Sequence, residues 1–209
     1  ARSLFGLENR FGRMPYTVYD KGWVNRTKFT QHDLAADEGR TYRFYRGRKP
    51  IFEFGQGLSF SSFSVNVSSG SAACTFPASA KAGCVATVTA KNVGAVTGDL
   101  VVTAFMRFKA VPSQTESKLL KQLVDFARIE QLEPGKSRAV EFAITPSKLA
   151  VSDVRAATSG DIVAAAGKYE MTFEDGAGGA ATLGVAMSGA DAVLGKFPAG
   201  AGQQAAARV

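Results

Sequence analysis

Histidine, cysteine and carboxylate side chains are the ones in this sequence that could bind a metal or act in catalysis, and few of them lie close together. His32 is the only histidine, and the two cysteines, Cys74 and Cys84, do not form a CxxC pair. Zinc sites draw on clusters of Cys and His, and catalytic triads need a histidine base. We therefore expect no metal site, no cofactor and no histidine-dependent catalysis in this chain.

Three glutamates near the start of the chain are candidate catalytic acids only by default. Glu8, Glu38 and Glu53 lie among glycines, prolines and other turn-forming residues, with no regular pattern around them. Acidic side chains in such segments are usually solvated, because an unpaired carboxylate is costly to bury. We interpret all three as loop carboxyls.

The two cysteines are ten positions apart and leave two interpretations open. A disulfide bond between Cys74 and Cys84 would close a short loop that contains Pro77 and Gly83. In the chain-entropy description such a bond stabilises a fold by roughly 2–3 kcal/mol. Alternatively, both residues are free thiols that pack as small apolar side chains.

Two Asn-x-Thr/Ser triplets begin at Asn25 and Asn66 and fit the N-glycosylation pattern. They give weak support to an extracellular, secreted protein. No apolar run approaches the ~20 residues of a membrane helix, so we expect no membrane partner. The chain begins with Ala1 and shows no signal peptide, which fits a processed protein or a fragment.

The basic excess is concentrated at the start of the chain. The first 60 residues hold 11 Lys and Arg against 6 Asp and Glu, whereas the rest hold 14 against 12. Between positions 40 and 49, basic side chains alternate with aromatic rings, a pattern that can pair phosphates with base stacking. Because the remaining excess is diffuse, we expect no nucleic-acid partner. The run comprises Arg40, Tyr42, Arg43, Phe44, Tyr45, Arg46, Arg48 and Lys49.

Residues 61–187 show repeated alternation of apolar and polar side chains between turn signals. Tyr169, Met171 and Phe173 fall on one face of a strand, and a longer strand places Leu100 and its alternate neighbours up to Phe108 on one face. Seven or eight such strands over about 120 residues are typical of an antiparallel sandwich of the immunoglobulin or fibronectin III kind. We therefore predict a mostly β fold with this domain at 61–187.

The flanking segments lack such a pattern. Residues 1–60, which we name the strap, are aromatic and rich in turns, with short extended pieces predicted at 16–19 and 41–45. The strap is unlike a domain with its own core, and we expect it to lie against another part of the protein. Residues 188–209, rich in Gly and Ala, are predicted to form a flexible tail.

Three short motifs follow one another in the strap. Residues 12–19 read GRMPYTVY, residues 39–45 read GRTYRFY, and residues 54–60 read FGQGLSF. In this order and at about this spacing they resemble glycoside hydrolase family 3, in its β-xylosidase and arabinofuranosidase branch. There the first motif lies near the end of an α/β sandwich domain, so the strap resembles the C-terminal segment of that domain.

The rest of the chain fits the same resemblance. Members of this branch carry a fibronectin type III-like domain directly after the third motif. Residues 92–99 are similar to its NxGxxxG hairpin, residues 132–137 to its LxPGES turn, and residues 149–153 to its LSVVD strand. The resemblance covers roughly residues 9–187.

The resemblance implies that the chemistry lies outside this chain. Retaining glycosidases need two carboxylates, and this family carries its nucleophile on an N-terminal barrel and its acid/base upstream of the first motif. Asp153 follows a serine, as the family nucleophile does, but it matches the Asp of the LSVVD strand. The whole protein would hydrolyse O-glycosyl bonds of β-xylosides or related substrates, and this portion would contain no catalytic residue.

The implied partners are the N-terminal catalytic domains of the same polypeptide, and a saccharide substrate through them. We expect the strap to form the joint with those domains, because aromatic side chains bury large areas and glycines allow tight turns. The residues predicted at the joint are Met14, Phe44, Tyr45, Phe52, Phe54, Gly55 and Gly57.

A carbohydrate-binding or adhesive β-sandwich with no enzyme attached is the alternative. Fold alone does not decide between these functions. Trp23, the only tryptophan, lies in the strap, where it could present a flat face to a sugar or fill a crevice between domains.

Overall fold

The computed structural model describes residues 2–68, 74–153 and 160–197. Its helical turns are α1 (Trp23–Arg26), α2 (Thr41–Phe44) and α3 (Pro146–Leu149), with a 3-10 helix at Pro112–Gln114. Its strands are β1 (Phe63–Ser68), β2 (Cys74–Pro77), β3 (Cys84–Asn92), β4 (Gly98–Ala110), β5 (Gln122–Leu132), β6 (Ser137–Ile144), β7 (Val151–Ser152), β8 (Ile162–Ala164), β9 (Gly167–Glu174), β10 (Ala180–Ser188) and β11 (Ala192–Gly195). No described helix has the length and apolar content that a membrane crossing requires.

Two sheets form the body of the sandwich. One has three strands in the order β1-β3-β6, and the other has five in the order β2-β10-β9-β4-β5. Neighbouring strands are antiparallel except β2 and β10, which run parallel. A small third sheet has the order β11-β8-β7. The predicted mostly β sandwich is confirmed.

The core lies between the two main sheets. Alternate residues of β3, β4 and β9 point inward, so Val88, Leu100 and Phe173 are fully buried. Phe142 of the three-stranded sheet packs against Phe173 of the five-stranded sheet, with ring centroids 5.2 Å apart. This is the arrangement that the alternation along the sequence predicted, since each sheet buries its apolar face on the other.

Cys74 and Cys84 form a disulfide bond, with Cα atoms 5.7 Å apart. Cys74 begins β2 of the five-stranded sheet, and Cys84 begins β3 of the three-stranded sheet. The bond therefore joins the two layers of the sandwich. Of the two interpretations that the sequence left open, the structure shows the bonded one.

The structure differs from the sequence prediction at two places. Residues 41–44 form a helical turn rather than an extended piece, and Thr41 adopts a φ of 58° while its N–H donates to the Tyr19 hydroxyl. A β-branched residue rarely adopts this conformation, so local sequence could not indicate it. The tail predicted from residue 188 contains β11, which pairs with β8. Its last part, 198–209, lies outside the described residues.

Candidate docking surface

The inner side of the strap packs on the outer face of the five-stranded sheet. Phe105 of β4 points away from the sandwich core and is nevertheless fully buried. It meets Tyr42 and Phe54 of the strap at centroid distances of 5.9 and 6.0 Å, and those two rings stack on each other at 4.0 Å. Three aromatic rings thus form a second small core between strap and sheet.

Gly55 completes this contact through its backbone. Its φ is 83°, a conformation that side chains rarely adopt, and it is buried over the Phe105 ring. Its N–H donates to the Met14 carbonyl at 2.8 Å, and the Met14 N–H donates to the Gln56 carbonyl at 2.8 Å. The first and third motifs of the strap are therefore held side by side.

Hydrogen bonds fix the strap to one end of the five-stranded sheet. Arg13 Nη2 donates to the Asp175 carbonyl at 2.7 Å, and the Gly57 N–H donates to the Gly176 carbonyl at 3.0 Å. Burial lowers the pKa of Arg13, although Asp175 opposes this by favouring the charged form. These contacts attach the strap to the turn between β9 and β10.

Asp99 attaches the beginning of the strap. Its side chain is almost fully buried and accepts hydrogen bonds from Arg128 at 2.6 Å and from the Gln131 N–H at 3.0 Å. Arg10 of the strap reaches the same carboxylate at 3.3 Å. Burial pushes the pKa of Asp99 upward, but the hydrogen bonds from Gln131 and Arg128 outweigh it, so the pKa lies below its ordinary value.

The middle of the strap has a polar cluster of its own. Arg26 bridges Asp20 at 2.8 Å and Glu38 at 2.9 Å. The hydrogen bond with Asp20, followed by that with Glu38, raises the pKa of Arg26. Trp23 stacks on Tyr19 with ring centroids 4.2 Å apart. Residues 19–38 are thus organised locally, and one face of Trp23 is covered by a neighbouring ring.

The basic run at 40–49 is used for contacts within the chain. Arg43 Nη2 donates to Gln122 Oε1 at 2.6 Å, and the Arg46 side chain donates to the Lys118 carbonyl. Arg40 Nη2 donates to the Lys28 carbonyl at 2.6 Å. These guanidinium groups hold the strap to itself, to the start of β5 and to the segment before it.

The strap exposes many large apolar side chains on its outer side. Of the 19 exposed large apolar residues among those described, 11 lie in the strap, so the strap holds most of this surface in under a third of the chain. Phe29 is fully exposed and Leu58 is 75% exposed. We name this set the docking surface: Leu4, Phe5, Leu7, Tyr16, Val24, Phe29, Leu34, Ile51, Phe52, Leu58 and Phe60.

The residues predicted at the joint divide between the two sides of the strap. Phe54 and Gly55 face the sandwich of this chain, Gly57 bonds to the β9–β10 turn, and Tyr45 packs on Tyr19 at 4.8 Å. Met14 and Phe44 are partly buried. Phe52 alone of these predicted residues belongs to the docking surface.

Sequence reasoning missed Phe105 and most of the docking surface. A signal for Phe105 was present, since β4 reads LVVTAFM, a near-continuous apolar run that is typical of a strand buried on both faces. The docking surface has no comparable signal. Exposed apolar side chains such as Phe29 and Leu58 look like core residues in a sequence.

The candidate carboxylates have different surroundings in the structure. Glu8 pairs with Arg2 at 2.7 Å, Glu38 pairs with Arg26, and Glu53 is exposed. Asp153 is buried, and its backbone N–H donates to the Asp161 carbonyl at 2.7 Å. Within the described ranges no three His, Cys, Asp or Glu side chains are grouped so as to hold a metal ion.

One cleft separates the strap from the sheet beside the three-ring core. It encloses about 280 Å³ and is lined by Tyr42, Tyr45, Phe54, Arg107 and Lys121, among others. Lys121 Nζ lies over the Phe105 ring at 4.0 Å and donates to Glu174 at 3.0 Å. The cleft therefore combines aromatic walls with charged hydrogen-bonding groups.

Comparisons with known proteins agree with this arrangement. Residues 101–175 match the family model of the fibronectin type III-like domain. The chain is 33% identical to "Probable exo-1,4-beta-xylosidase bxlB" of Aspergillus clavatus over 202 residues, covering 90% of this chain and 25% of the relative. It is 32% identical to "Probable beta-D-xylosidase 7" of Arabidopsis thaliana, covering 82% of this chain and 25% of the relative. The chain thus spans about a quarter of the length of these curated relatives.

Solved structures share the fold. The GH3 exo-beta-xylosidase XlnD, in complex with a xylobiose aziridine probe, superposes with a TM-score of 0.80 at 22% identity, over 97% of this chain and 27% of that one. The beta-D-glucoside glucohydrolase of Trichoderma reesei gives a TM-score of 0.67 at 22% identity, over 90% and 28% of the two chains. Both matches include the strap as well as the sandwich, because they cover at least nine-tenths of this chain. The resemblance indicated by the motifs is therefore confirmed: the chain carries a fibronectin type III-like domain and is the counterpart of the C-terminal region of β-xylosidase-type glycoside hydrolases.

Proposed function

We propose that this chain is the C-terminal docking module of a family 3 glycoside hydrolase. The asymmetry of the strap carries the proposal. Its inner side is fixed to the five-stranded sheet by the three-ring core and by Arg13, whereas its outer side presents the docking surface. Large exposed apolar side chains gathered in one segment are typical of an interface.

The occupant that we propose for the docking surface is the catalytic body of the same polypeptide. The curated relatives are four times as long as the matched region and are named as β-xylosidases. A retaining glycosidase needs a nucleophile and an acid/base carboxylate about 5–5.5 Å apart. Both would belong to that body, and the strap would connect it to the sandwich.

The substrate of the whole enzyme would be a β-xyloside or a related xylo-oligosaccharide. The bond between the terminal sugar and the leaving group would be hydrolysed, as in xylan breakdown. The disulfide bond between Cys74 and Cys84 and the exposed sequon asparagines support an extracellular location, since disulfides persist in oxidising compartments.

A chimera tests this function. In bxlB of Aspergillus clavatus, the quarter that matches this chain is replaced by residues 1–197, and hydrolysis of an aryl β-xyloside is measured. We expect the chimera to be active, and we expect Phe29→Ser with Leu58→Ser to lower its melting temperature and its yield of active enzyme, because both side chains would be buried at the interface.

The matched control carries Val85→Ser and Val93→Ser, two exposed apolar residues of the sandwich outside the docking surface. It should behave like the parent chimera. Equal effects of the two double variants, or an inactive parent chimera that is nevertheless folded, would count against docking through the strap.

Carbohydrate binding is the second candidate function, and the 280 Å³ cleft is the observation that favours it. Aromatic walls next to Arg107 and Lys121 can meet both the apolar face and the hydroxyls of a sugar ring. The Trp23 platform is disfavoured because Tyr19 covers one of its faces. Retention of the chain on insoluble xylan, lost in Arg107→Met, would support this function over a purely structural one.

A further inference from the structure

Four strands form the edges of the two main sheets, and they are protected unequally. An edge strand presents unpaired backbone groups to other chains, and natural edges carry charges, prolines or bulges that prevent association. β5 carries Asp125 and Arg128, β6 carries Arg138 and Glu141, and β2 ends in Pro77. Each of these three edges therefore has at least one of the usual protections.

β1, the fourth edge, has none of them. It reads FSVNVS, and it pairs with β3 in continuous register without a bulge. No charged residue occurs between Glu53 and Lys81, so the segments that flank β1 supply no charge either. Short, uncharged segments of high β-propensity are the ones that associate edge to edge. The folded edge thus lacks an intrinsic defence.

Asn66 lies in the middle of this edge and begins an Asn-Val-Ser sequon. Val65 is buried in the core, so the Asn66 side chain points to the outer face of the sheet, where it is exposed. Its register partner on β3 is Thr89. The Asn66 side-chain amide makes no hydrogen bond to any described residue, and its neighbours on the same face of β1 are Ser64 and Ser68.

We propose that Asn66 carries an N-linked glycan and that this glycan shields the β1 edge from association with other chains. The inference rests on passage through the secretory pathway, which is part of the proposed function. A branched, hydrated oligosaccharide in the middle of a six-residue strand excludes the close approach that backbone pairing needs. It replaces the charge or proline that the other three edges carry.

The modification is a group transfer from a lipid-linked oligosaccharide diphosphate, catalysed by a transferase of the host. The Asn66 Nδ2 forms a bond to the anomeric carbon of the oligosaccharide and loses one proton to solvent. The bond between that carbon and the diphosphate oxygen breaks, and the lipid diphosphate leaves with the bonding electrons. No oxidant or reductant is needed.

The test is secretion of the 209-residue chain from a yeast host, with intact mass measured before and after peptide:N-glycosidase F. We expect a glycan that disappears in Asn66→Gln and in Ser68→Ala, which keeps the asparagine. By sedimentation velocity, both variants should self-associate about tenfold more tightly than the glycosylated chain. Asn66→Lys lacks the glycan but places a positive charge on β1. It should self-associate no more than the glycosylated chain.

Asn25→Gln is the matched control, because it removes the other sequon and leaves β1 unchanged. It should not increase self-association. An unmodified Asn66 in the secreted chain would overturn the proposal, as would Ser68→Ala behaving like the glycosylated chain or Asn66→Lys associating like Asn66→Gln. The docking surface is the same in all of these variants, so failure here is distinct from failure of the docking function.

Discussion

Four hydrogen bonds converge on the buried side chain of Asn92, at the end of β3. Its amide donates to the carbonyls of Val96 and Leu132 at 2.8 and 2.7 Å. Its oxygen accepts from the Gly94 N–H at 3.0 Å and from the Ser61 hydroxyl at 2.7 Å. One residue thus satisfies two turns of the sandwich and the segment that enters β1.

We predict that Asn92→Ala lowers the free energy of unfolding by about 2 to 4 kcal/mol, because it leaves buried carbonyl and N–H groups without partners. Chemical denaturation measured by circular dichroism gives the value. Asn25→Ala, at an exposed position, is the control and should change stability by less than about 0.5 kcal/mol. A loss as small as that of the control would show that solvent replaces these bonds at little cost.

Asp99 makes stability depend on pH. Its pKa in the folded chain is below the ordinary value of 3.8, so the folded state favours the carboxylate. The resulting stabilisation is fully present above the unfolded pKa and is lost as the pH falls through the lower, folded pKa. We predict that Asp99→Asn costs about 1.5 to 3 kcal/mol at pH 7, with the difference from the parent shrinking below pH 4.

Urea denaturation between pH 2.5 and 7 checks this prediction. The control is Glu141→Gln on β6, an exposed carboxyl outside the strap contacts. A stability difference between Asp99→Asn and the parent that stays constant down to pH 2.5 would contradict the role given to the Asp99 carboxylate.

At the scale of elements, β4 connects the strap to the sandwich, because it buries side chains on both of its faces. We predict that Phe105→Ala lowers stability by about 3 to 5 kcal/mol and releases the strap, since the Tyr42 and Phe54 rings lose their support. Limited proteolysis should then cleave between residues 42 and 58. The matched variant is Phe142→Ala in the core between the sheets, which should cost similar stability without exposing the strap.

Cleavage of the strap to the same extent in both variants would show that it loosens with the sandwich as a whole. The comparison isolates the strap contact because both positions are almost fully buried phenylalanines on strands. The five-stranded sheet contributes Phe105 from its outer face, whereas the three-stranded sheet contributes Phe142 from its inner face.

Sequence predicted the strands well and the path of the strap poorly. Alternation placed Tyr169, Met171 and Phe173 on the core side correctly, since a strand buried on one face imposes a period of two. The strap has no such period. Its course depends on distant contacts, such as those of Tyr42 and Arg13, that no local pattern encodes.

At the scale of the whole molecule, we predict that the isolated chain does not hydrolyse an aryl β-xyloside. Asp153 is buried within the sandwich, and Glu38 is engaged by Arg26, so neither is placed as a glycosidase carboxylate. Release of the aryl group, followed by absorbance, should match the rate without protein. Turnover that disappears in Asp153→Asn would contradict this prediction.

The order of the chain has a consequence for its synthesis on the ribosome. Within this chain the strap is made before the sandwich, yet Arg13 must reach Asp175, 162 residues later. At about 5–20 residues per second, roughly 8 to 30 s separate the synthesis of Arg13 from that of Asp175. During that interval the five-stranded sheet that covers the aromatic residues of the strap is incomplete, so a stalled or truncated nascent chain would depend on chaperones to avoid aggregation.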